Sequence, residues 1–247
     1  MTQQLYNPQA VELLSTHFPM RKEPNYAWGN VMSIHQQIPY LRGLWNFATR
    51  DEIDEFYDLS GQGRTLINGN DRHTHLSGLA PYVEVISPSD ISRADEAGLD
   101  ILTDISIGGW FWIDNLGDNP TLMMKWGVAG QQSWWLFALG TGDVYWSTSY
   151  DGTNIDIMWT AAGALTNGAW YHICATKLGV TELNIHINGI KTAKTAGLNA
   201  GIWNGNSTMY VAPNITGKVA YCWLSAAAQP DYLIKSLYEL SRPLFGV

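Results

Sequence analysis

Residues 165–191 read LTNGAWYHICATKLGVTELNIHINGIK, and this stretch decides the fold. From Trp170 onward the polarity alternates with period two, with Tyr171, Ile173 and Ala175 on one side and Trp170, His172, Cys174 and Thr176 on the other. A second run sets Leu183, Ile185 and Ile187 against Asn184, His186 and Asn188. Period two is the repeat of a strand, whose side chains alternate across a sheet; a helix repeats every 3.6 residues. Two such runs joined by a short turn containing Gly179 make an antiparallel pair. Asn188-Gly189 then supplies the positive φ angles that a tight hairpin needs.

The same pattern extends outward from Leu41. ISIGGWFWID (105–114) places Ile105, Ile107, Phe111 and Ile113 on one face and Trp110 and Trp112 on the other, so both faces are apolar. TNIDIMWT (153–160) sets Ile155, Ile157 and Trp159 against Asn154 and Asp156, and VYWSTSYDGTNIDIMW (144–159) reads as a hairpin turning at Asp151-Gly152. KVAYCWLSA (218–226) adds a strand, and DYLIKSLYELSR (231–242) after Pro230 reads as a short C-terminal helix. No βαβ alternation and no internal repeat interrupts these short strands, so the chain is all-β, a two-sheet antiparallel β-sandwich. Residues 1–40 read differently. PQAVELLSTHF (8–18) spaces Val11, Leu14 and Phe18 for a short helix, and the rest of that stretch, with three prolines from Pro19 to Pro39, reads as an extended arm. Tyr26, Trp28, Met32 and Ile38 are too apolar to be left in water, so the arm packs on its own domain or docks on a neighbouring subunit, and docking is the favoured reading.

Composition narrows the class. The chain has 247 residues, 46% hydrophobic and only 15% charged, with 12 Trp, which excludes a disordered chain. A net charge of −8 excludes a phosphate-tracking nucleic-acid binder, which needs a Lys/Arg-rich face. Residues 41–100 carry 5 Arg against 11 Asp and Glu, so the acidity crowds one stretch. The apolar runs are too short for a membrane span of about 20 residues. Cys174 and Cys222, 48 positions apart, make no metal clip and are expected as free buried thiols, with a single bridge as the alternative. The first residues carry no secretory signal pattern, and on that reading the patterns at Asn206 and Asn214 are chance matches for glycosylation.

Several stretches together resemble the LamG-like (laminin G-like) jelly-roll domains of the concanavalin A-like lectin/glucanase superfamily. LRGLWNF (41–47) followed by YDLSGQGRTLINGN (57–70) looks like the opening strand and its D-x-S-G-x-G turn. ISRADEAGLDI (91–101) and DISIGGWFWID (104–114) look like the passage into the long central strand, and the opening stretch quoted above matches the G-x-W-Y-H-x-x-A-T signature. GKVAYCWLSAAAQPDYLIKSLYELSR (217–242) resembles the closing strand and terminal helix. The resemblance covers 41–242 and implies a jelly-roll topology, with an N-terminal arm over 1–40 and a domain over 41–247. It does not imply one function, because this architecture serves enzymes and binding modules alike.

Candidate chemistry is sparse. Glucanases of the superfamily place carboxylates in an E-[ILV]-D-x-x-E-like pattern, about 5 to 5.5 Å apart. DEIDEF (51–56) offers Glu52, Asp54 and Glu55, but Glu55 has the opposite parity and the segment precedes the YDLSG turn, so it reads as a solvated acidic loop. Asp71, His73 and His75 alternate as metal ligands can, without an identified fourth ligand. Asp118, Asn119, Asp143, Asp151 and Asn154 are loop oxygens hard enough for Ca²⁺, which is a possible ion although no cofactor is required. His172 and Cys174 share a strand face with no orienting third group, and SGQGRTL (60–66) lacks the Lys and helix of a phosphate loop. No enzyme activity is expected.

Binding through aromatic surface remains. Trp110, Trp112, Trp135 and Tyr145, with polar neighbours Asn184 and His186, are the candidate ligand contacts, since Trp and Tyr offer flat apolar faces at small entropic cost. The competing reading is that several of them are buried in a second core. YDLSGQGRTL, SRADEAGLDI and SLYELSR also resemble the LamG-like modules of phage structural proteins. The expectation is therefore a non-catalytic virion surface protein, in capsid decoration or tail contact, whose partners are other virion proteins, further copies of itself and a host-surface glycan. A carbohydrate-binding lectin module is the alternative, with a divergent glycoside hydrolase behind it.

Overall fold

The structure, a computed structural model, describes residues 31, 33–48, 55–69, 74–75, 80–199 and 201–247. Two eight-stranded antiparallel sheets pack face to face. One consists of β1 (Leu41–Trp45), β4 (Thr74–His75), β5 (Tyr82–Val85), β7 (Ile105–Ile113), β12 (Trp170–Leu178), β13 (Glu182–Ile187), β14 (Ile190–Ala196) and β16 (Gly217–Ser225). Its order is β14-β13-β12-β7-β16-β5-β4, with β1 on β16 beyond β5. The other consists of β2 (Glu55–Phe56), β3 (Leu66–Asn68), β6 (Ile91–Arg93), β8 (Thr121–Lys125), β9 (Trp134–Ala138), β10 (Val144–Ser149), β11 (Ile155–Trp159) and β15 (Met209–Val211), in the order β11-β10-β9-β8-β15-β6-β3-β2. This is the expected two-sheet jelly roll. The C-terminal helix, α1 (Asp231–Ser241), lies where the sequence placed it. The predicted helix within residues 8–18 lies outside the described residues.

The alternation of β7 explains why both its faces are apolar. Ile105, Ile107, Phe111 and Ile113 enter the core between the sheets. Trp110 points the other way, into a second core formed with Val31, Ile38, Leu44, Trp223, Ile234, Leu237 and Leu244. That second core covers the outer face of the first sheet, so we call it the helix-covered sheet and its partner the open sheet. A bulge at Tyr221 (φ 48°) lets β16 serve both cores, with Val219 and Cys222 inward and Ala220, Tyr221 and Trp223 outward. Cys174 and Cys222 are free and buried, one in each core, so the sheet itself separates them.

Local chemistry fixes the turns. Asn188 and Gly189 both adopt positive φ, 51° and 73°, as the hairpin sequence requires. A side chain on Gly189 would meet the Tyr238 ring at about 3.0 Å, so α1 seats on that turn. In the YDLSGQGR turn the Asp58 carboxylate accepts from the backbone N–H of Leu44, Ser60 and Arg64 at 3.0, 2.8 and 2.9 Å, tying the turn to β1. Two lysines point into the sandwich and are neutralised there: Lys177 by Asp156 at 3.1 Å, and Lys125 by Asp95 and Asp100 at 2.8 and 3.3 Å.

The described part of the arm is helical at Val31 and at Ser33–His35 rather than extended, and it packs on its own domain. Val31, His35 and Ile38 are buried against the helix-covered sheet, so Ile38 is spent on the chain's own core rather than on a neighbouring subunit. The domain's packing therefore begins before residue 41. Tyr26, Trp28 and Met32 lie outside the described residues.

Candidate functional site

Nothing among the described residues covers the outer face of the open sheet in the way α1 covers the other. Along β9 the side chains of Trp135 and Phe137 point outward, while Trp134, Leu136 and Ala138 are buried. Across the β9–β10 register Phe137 sits opposite Tyr145, and across the β10–β11 hairpin Tyr145 sits opposite Trp159. The rings therefore form one row. Centroid separations run 5.6 Å from Trp126 to Trp135, 4.1 Å to Phe137, 5.0 Å to Tyr145 and 5.7 Å to Trp159. The last three pairs are stacked, with interplanar angles of 26°, 18° and 18°. Stacking spends the inner faces of these rings on one another and leaves their edges, and the outer face of Trp159, to solvent. Trp159, on the outermost strand, is 56% exposed.

Polar groups pin the ladder. The Trp135 indole N–H donates to Thr121 Oγ1 at 3.0 Å. Burial raises the Asp143 carboxyl, but hydrogen bonds from Thr141, from the Tyr145 phenol and from backbone N–H outweigh it and hold it below the usual carboxylate range. The same Asp143 bond, followed by burial, pushes the Tyr145 phenol up. The site is thus a fixed, neutral aromatic surface with one acidic corner. Such a surface can stack on apolar ring faces and accept hydrogen bonds, and it contains no nucleophile–base pair.

Of the six expected ligand contacts, the structure brings Trp135 and Tyr145 together here. Trp110 is fully buried, stacked at 4.2 Å on Phe245 with its indole N–H donated to Ser241 Oγ at 2.9 Å, so it presents nothing to a ligand. Asn184 and His186 are buried on the helix-covered sheet as well, Asn184 bonded to Thr176 at 3.0 Å and His186 paired with Asp231 at 2.9 Å. Burial lowers the His186 pKa, and Asp231 opposes that shift. Trp112 sits half-buried on the rim of that sheet, its N–H on Asp114 and its ring 4.9 Å beneath the Lys218 ammonium. Sequence reasoning missed Trp126, Phe137 and Trp159. The signal for one of them was present, since Phe137 shares parity with Trp135. A two-residue turn at Asp151-Gly152 would set Met158 opposite Tyr145, and it is the observed three-residue loop, 151–153, that brings Trp159 there instead.

The five loop oxygens considered for Ca²⁺ do not converge. Asp118, Asn119 and Asp143 lie at one end of the open sheet and Asp151 and Asn154 at the other, separated by the length of β10, about 20 Å. Asn119 Oδ1 accepts from the Gly140 N–H, and Asp151 caps its own hairpin through Thr153 and Asn154. Among the described residues no three His, Cys, Asp or Glu gather as a metal site. His75 pairs with Glu84 at 3.0 Å, while Asp71 and His73 lie outside the described residues. Glu52 and Asp54 do too; Glu55 is exposed on the edge strand β2. His172 and Cys174 touch at 3.7 Å but are sealed in the second core, where burial pushes the thiol up.

No curated protein matches the sequence. Among solved structures, the binding domain of Paraclostridial Mosquitocidal Protein 1 superposes with a TM-score of 0.59 at 16% identity, over 81% of this chain and 52% of that one. The receptor-binding domain of botulinum neurotoxin C/D mosaic serotype gives 0.64 at 12% identity, over 81% and 51%. The botulinum neurotoxin serotype D ligand-binding domain in complex with N-acetylneuraminic acid gives 0.56 at 13%, over 85% and 52%. The chain thus spans about half the length of these structures, and at such identities the likeness is one of fold. The sequence itself carries the relationship further: the laminin G model described as concanavalin A-like lectin/glucanases superfamily matches residues 88–221, from the cis Ser87-Pro88 turn to the bulge in β16. That match spans more than half of the chain, from β6 into β16, and on it the chain belongs to the concanavalin A-like lectin/glucanases superfamily.

Proposed function

We propose that this protein is a non-catalytic binding module whose ligand face is the outer surface of the open sheet, and that the ligand is a glycan. The observation that carries the reading is the uncovered five-ring ladder from Trp126 to Trp159. An exposed apolar patch of this kind marks a binding surface, and rigid aromatic side chains lose little entropy when a sugar ring docks. Two of the similar structures are toxin receptor-binding or ligand-binding domains, one of them holding N-acetylneuraminic acid, which supports a glycan over a protein ligand. The non-catalytic reading is supported by the parity of Glu55, which breaks the glucanase carboxylate pattern. The setting we propose is a phage particle, in capsid decoration or tail contact, on the resemblance of YDLSGQGRTL, SRADEAGLDI and SLYELSR to phage structural modules.

A glycan array with the intact chain tests the ligand, followed by titration of the best hit against Trp135→Ala and Tyr145→Ala. Each substitution is expected to weaken binding by about tenfold or more, as for a central aromatic contact, while the circular dichroism spectrum stays unchanged. Binding that survives both substitutions sinks the assignment of this face. Mass spectrometry of particles from a phage encoding the chain tests the setting, and its absence from purified virions refutes it.

A further inference from the structure

We propose that two copies of this chain pair edge to edge through β11, antiparallel about Ile157, joining their open sheets into one continuous sheet. This inference is independent of the glycan reading.

The argument begins with the direction of the backbone groups in β11. Thr160 N–H donates to Val144 C=O at 3.0 Å, and Tyr150 N–H donates to Asn154 C=O at 3.4 Å. In an antiparallel ladder, hydrogen-bonded and non-bonded pairs alternate. With the observed register, Met158 and Asp156 therefore bond to β10 through Trp146 and Thr148, while Ile155, Ile157 and Trp159 turn their N–H and C=O away from it. Among the described residues β11 is the last strand of its sheet, so those three residues present an open row of donors and acceptors. An antiparallel second copy centred on Ile157 sets Ile155 against the other copy's Trp159 and Ile157 against its own equivalent. Every pair in that register consists of residues whose free groups face each other, so the edge is complementary to itself.

The side chains agree. Ile155 is 41% exposed and Trp159 56%, and in this register they pack against each other on the outer face, covering the face of Trp159 that the ladder leaves free. The net charge of −8 disfavours self-association in general. On this edge, however, the outward residues are neutral, and the one charge in the strand, Asp156, points inward and is neutralised by Lys177.

Comparison with the other edges strengthens the case. Natural sheets blunt exposed edges with lysines, prolines or very short strands. β14 carries Lys191, β2 and β4 are two residues long, and the free side of β1 is occupied by Leu59 and Asp58. β11, IDIMW, has no lysine, no proline and five residues. It is left open where the other edges are closed.

The test is the solution mass of the full chain by sedimentation velocity over a micromolar concentration series, with charge-swapped variants. The native chain is expected at twice its 27.5 kDa. Ile157→Lys and Ile157→Glu, which set like charges on the twofold axis, are each expected to sediment as monomers, and their equimolar mixture is expected to return to twice the monomer mass. Ile157→Pro is the second probe: it deletes only an N–H that points away from β10, so the monomer's own ladder is spared. Circular dichroism checks that each variant is folded. A native chain that stays monomeric throughout the series overturns the proposal, as does a dimer that persists in folded Ile157→Lys.

Discussion

Acidification from pH 7 to pH 5 should destabilise this protein through two histidines sealed in the second core. His35 stacks on Tyr221 at 5.5 Å and bonds Val31 C=O through Nδ1 at 2.8 Å. His172 lies between Trp110 and Tyr238, at 5.2 and 6.1 Å. Burial pushes their pKa values down from 6.5 to about 4 for His35 and to about 3 for His172, where the neighbouring histidines add to the effect. Both folded values lie below the unfolded one, so between them the unfolded chain binds more protons than the folded chain. Stability is therefore full above about pH 6.5 and declines as pH falls, until the folded rings themselves protonate near pH 3 to 4. At pH 5 each ring contributes a loss of about 2 kcal/mol, at 1.36 kcal/mol per pH unit below the unfolded value. The pair together removes about 4 kcal/mol from a total that in most domains is only about 5 to 15. Carboxylates held low in the folded state, such as Asp231, act with the same sign but in a lower window, below about pH 4. Urea unfolding followed by Trp fluorescence at pH 7 and pH 5 should show the midpoint fall by about 1 to 2 M. His172→Phe should roughly halve that difference. A midpoint unchanged between the two pH values refutes the claim that these rings stay buried and neutral.

Three further outcomes follow from the packing. Trp110→Ala should cost about 3 to 5 kcal/mol in thermal or urea unfolding, because it opens a cavity under α1 and strips Ser241 of its indole partner; glycan titration of the folded fraction should be unaffected. Asp156→Ala should cost about 3 to 5 kcal/mol, since it leaves the Lys177 ammonium buried without its counter-charge. The double replacement Asp156→Leu with Lys177→Met should recover most of that loss, which a two-variant urea comparison reads directly. Asp58→Ala should cost at least about 2 kcal/mol by orphaning the N–H groups of Leu44, Ser60 and Arg64, with hydrogen exchange rising first at those three amides.

The sequence told the strands and the two sides of each strand, because alternation is a local property. It could not tell what lies on each side. Trp110 and Trp135 look alike in the sequence: each is an aromatic residue on the face of a strand opposite the main core. One is fully buried and the other half-exposed because α1 and the segment from Val31 to Ile38 fold back on one sheet and leave the other open. That choice is made by residues far away along the chain. Asn184 and His186 failed as ligand contacts for the same reason, since Asp231 reaches His186 from a helix 45 positions later. Phe137 was recoverable from its alternation with Trp135, whereas Trp159 was not, because the loop after β10 is one residue longer than the Asp151-Gly152 pair suggests and that one residue decides which side of β11 faces out.

The same contrast explains why the ladder belongs to the open sheet. A single strand cannot stack five rings; the row needs Phe137 on β9, Tyr145 on β10 and Trp159 on β11 to arrive at one height across the sheet, and Trp135, two residues along β9, and Trp126, just after β8, extend it. Trp159 and Tyr145 form a non-bonded pair in the antiparallel ladder, the kind in which side chains approach most closely, and Trp159 turns its free backbone groups outward for that very reason. The parity that completes the aromatic row is thus the parity that exposes the edge. Shifting β11 by one residue would bury Ile155, Ile157 and Trp159, expose Asp156, and turn the backbone groups of Asp156 and Met158 outward instead. The aromatic surface and the self-complementary edge are two consequences of one register, set by the three-residue loop from Asp151 to Thr153.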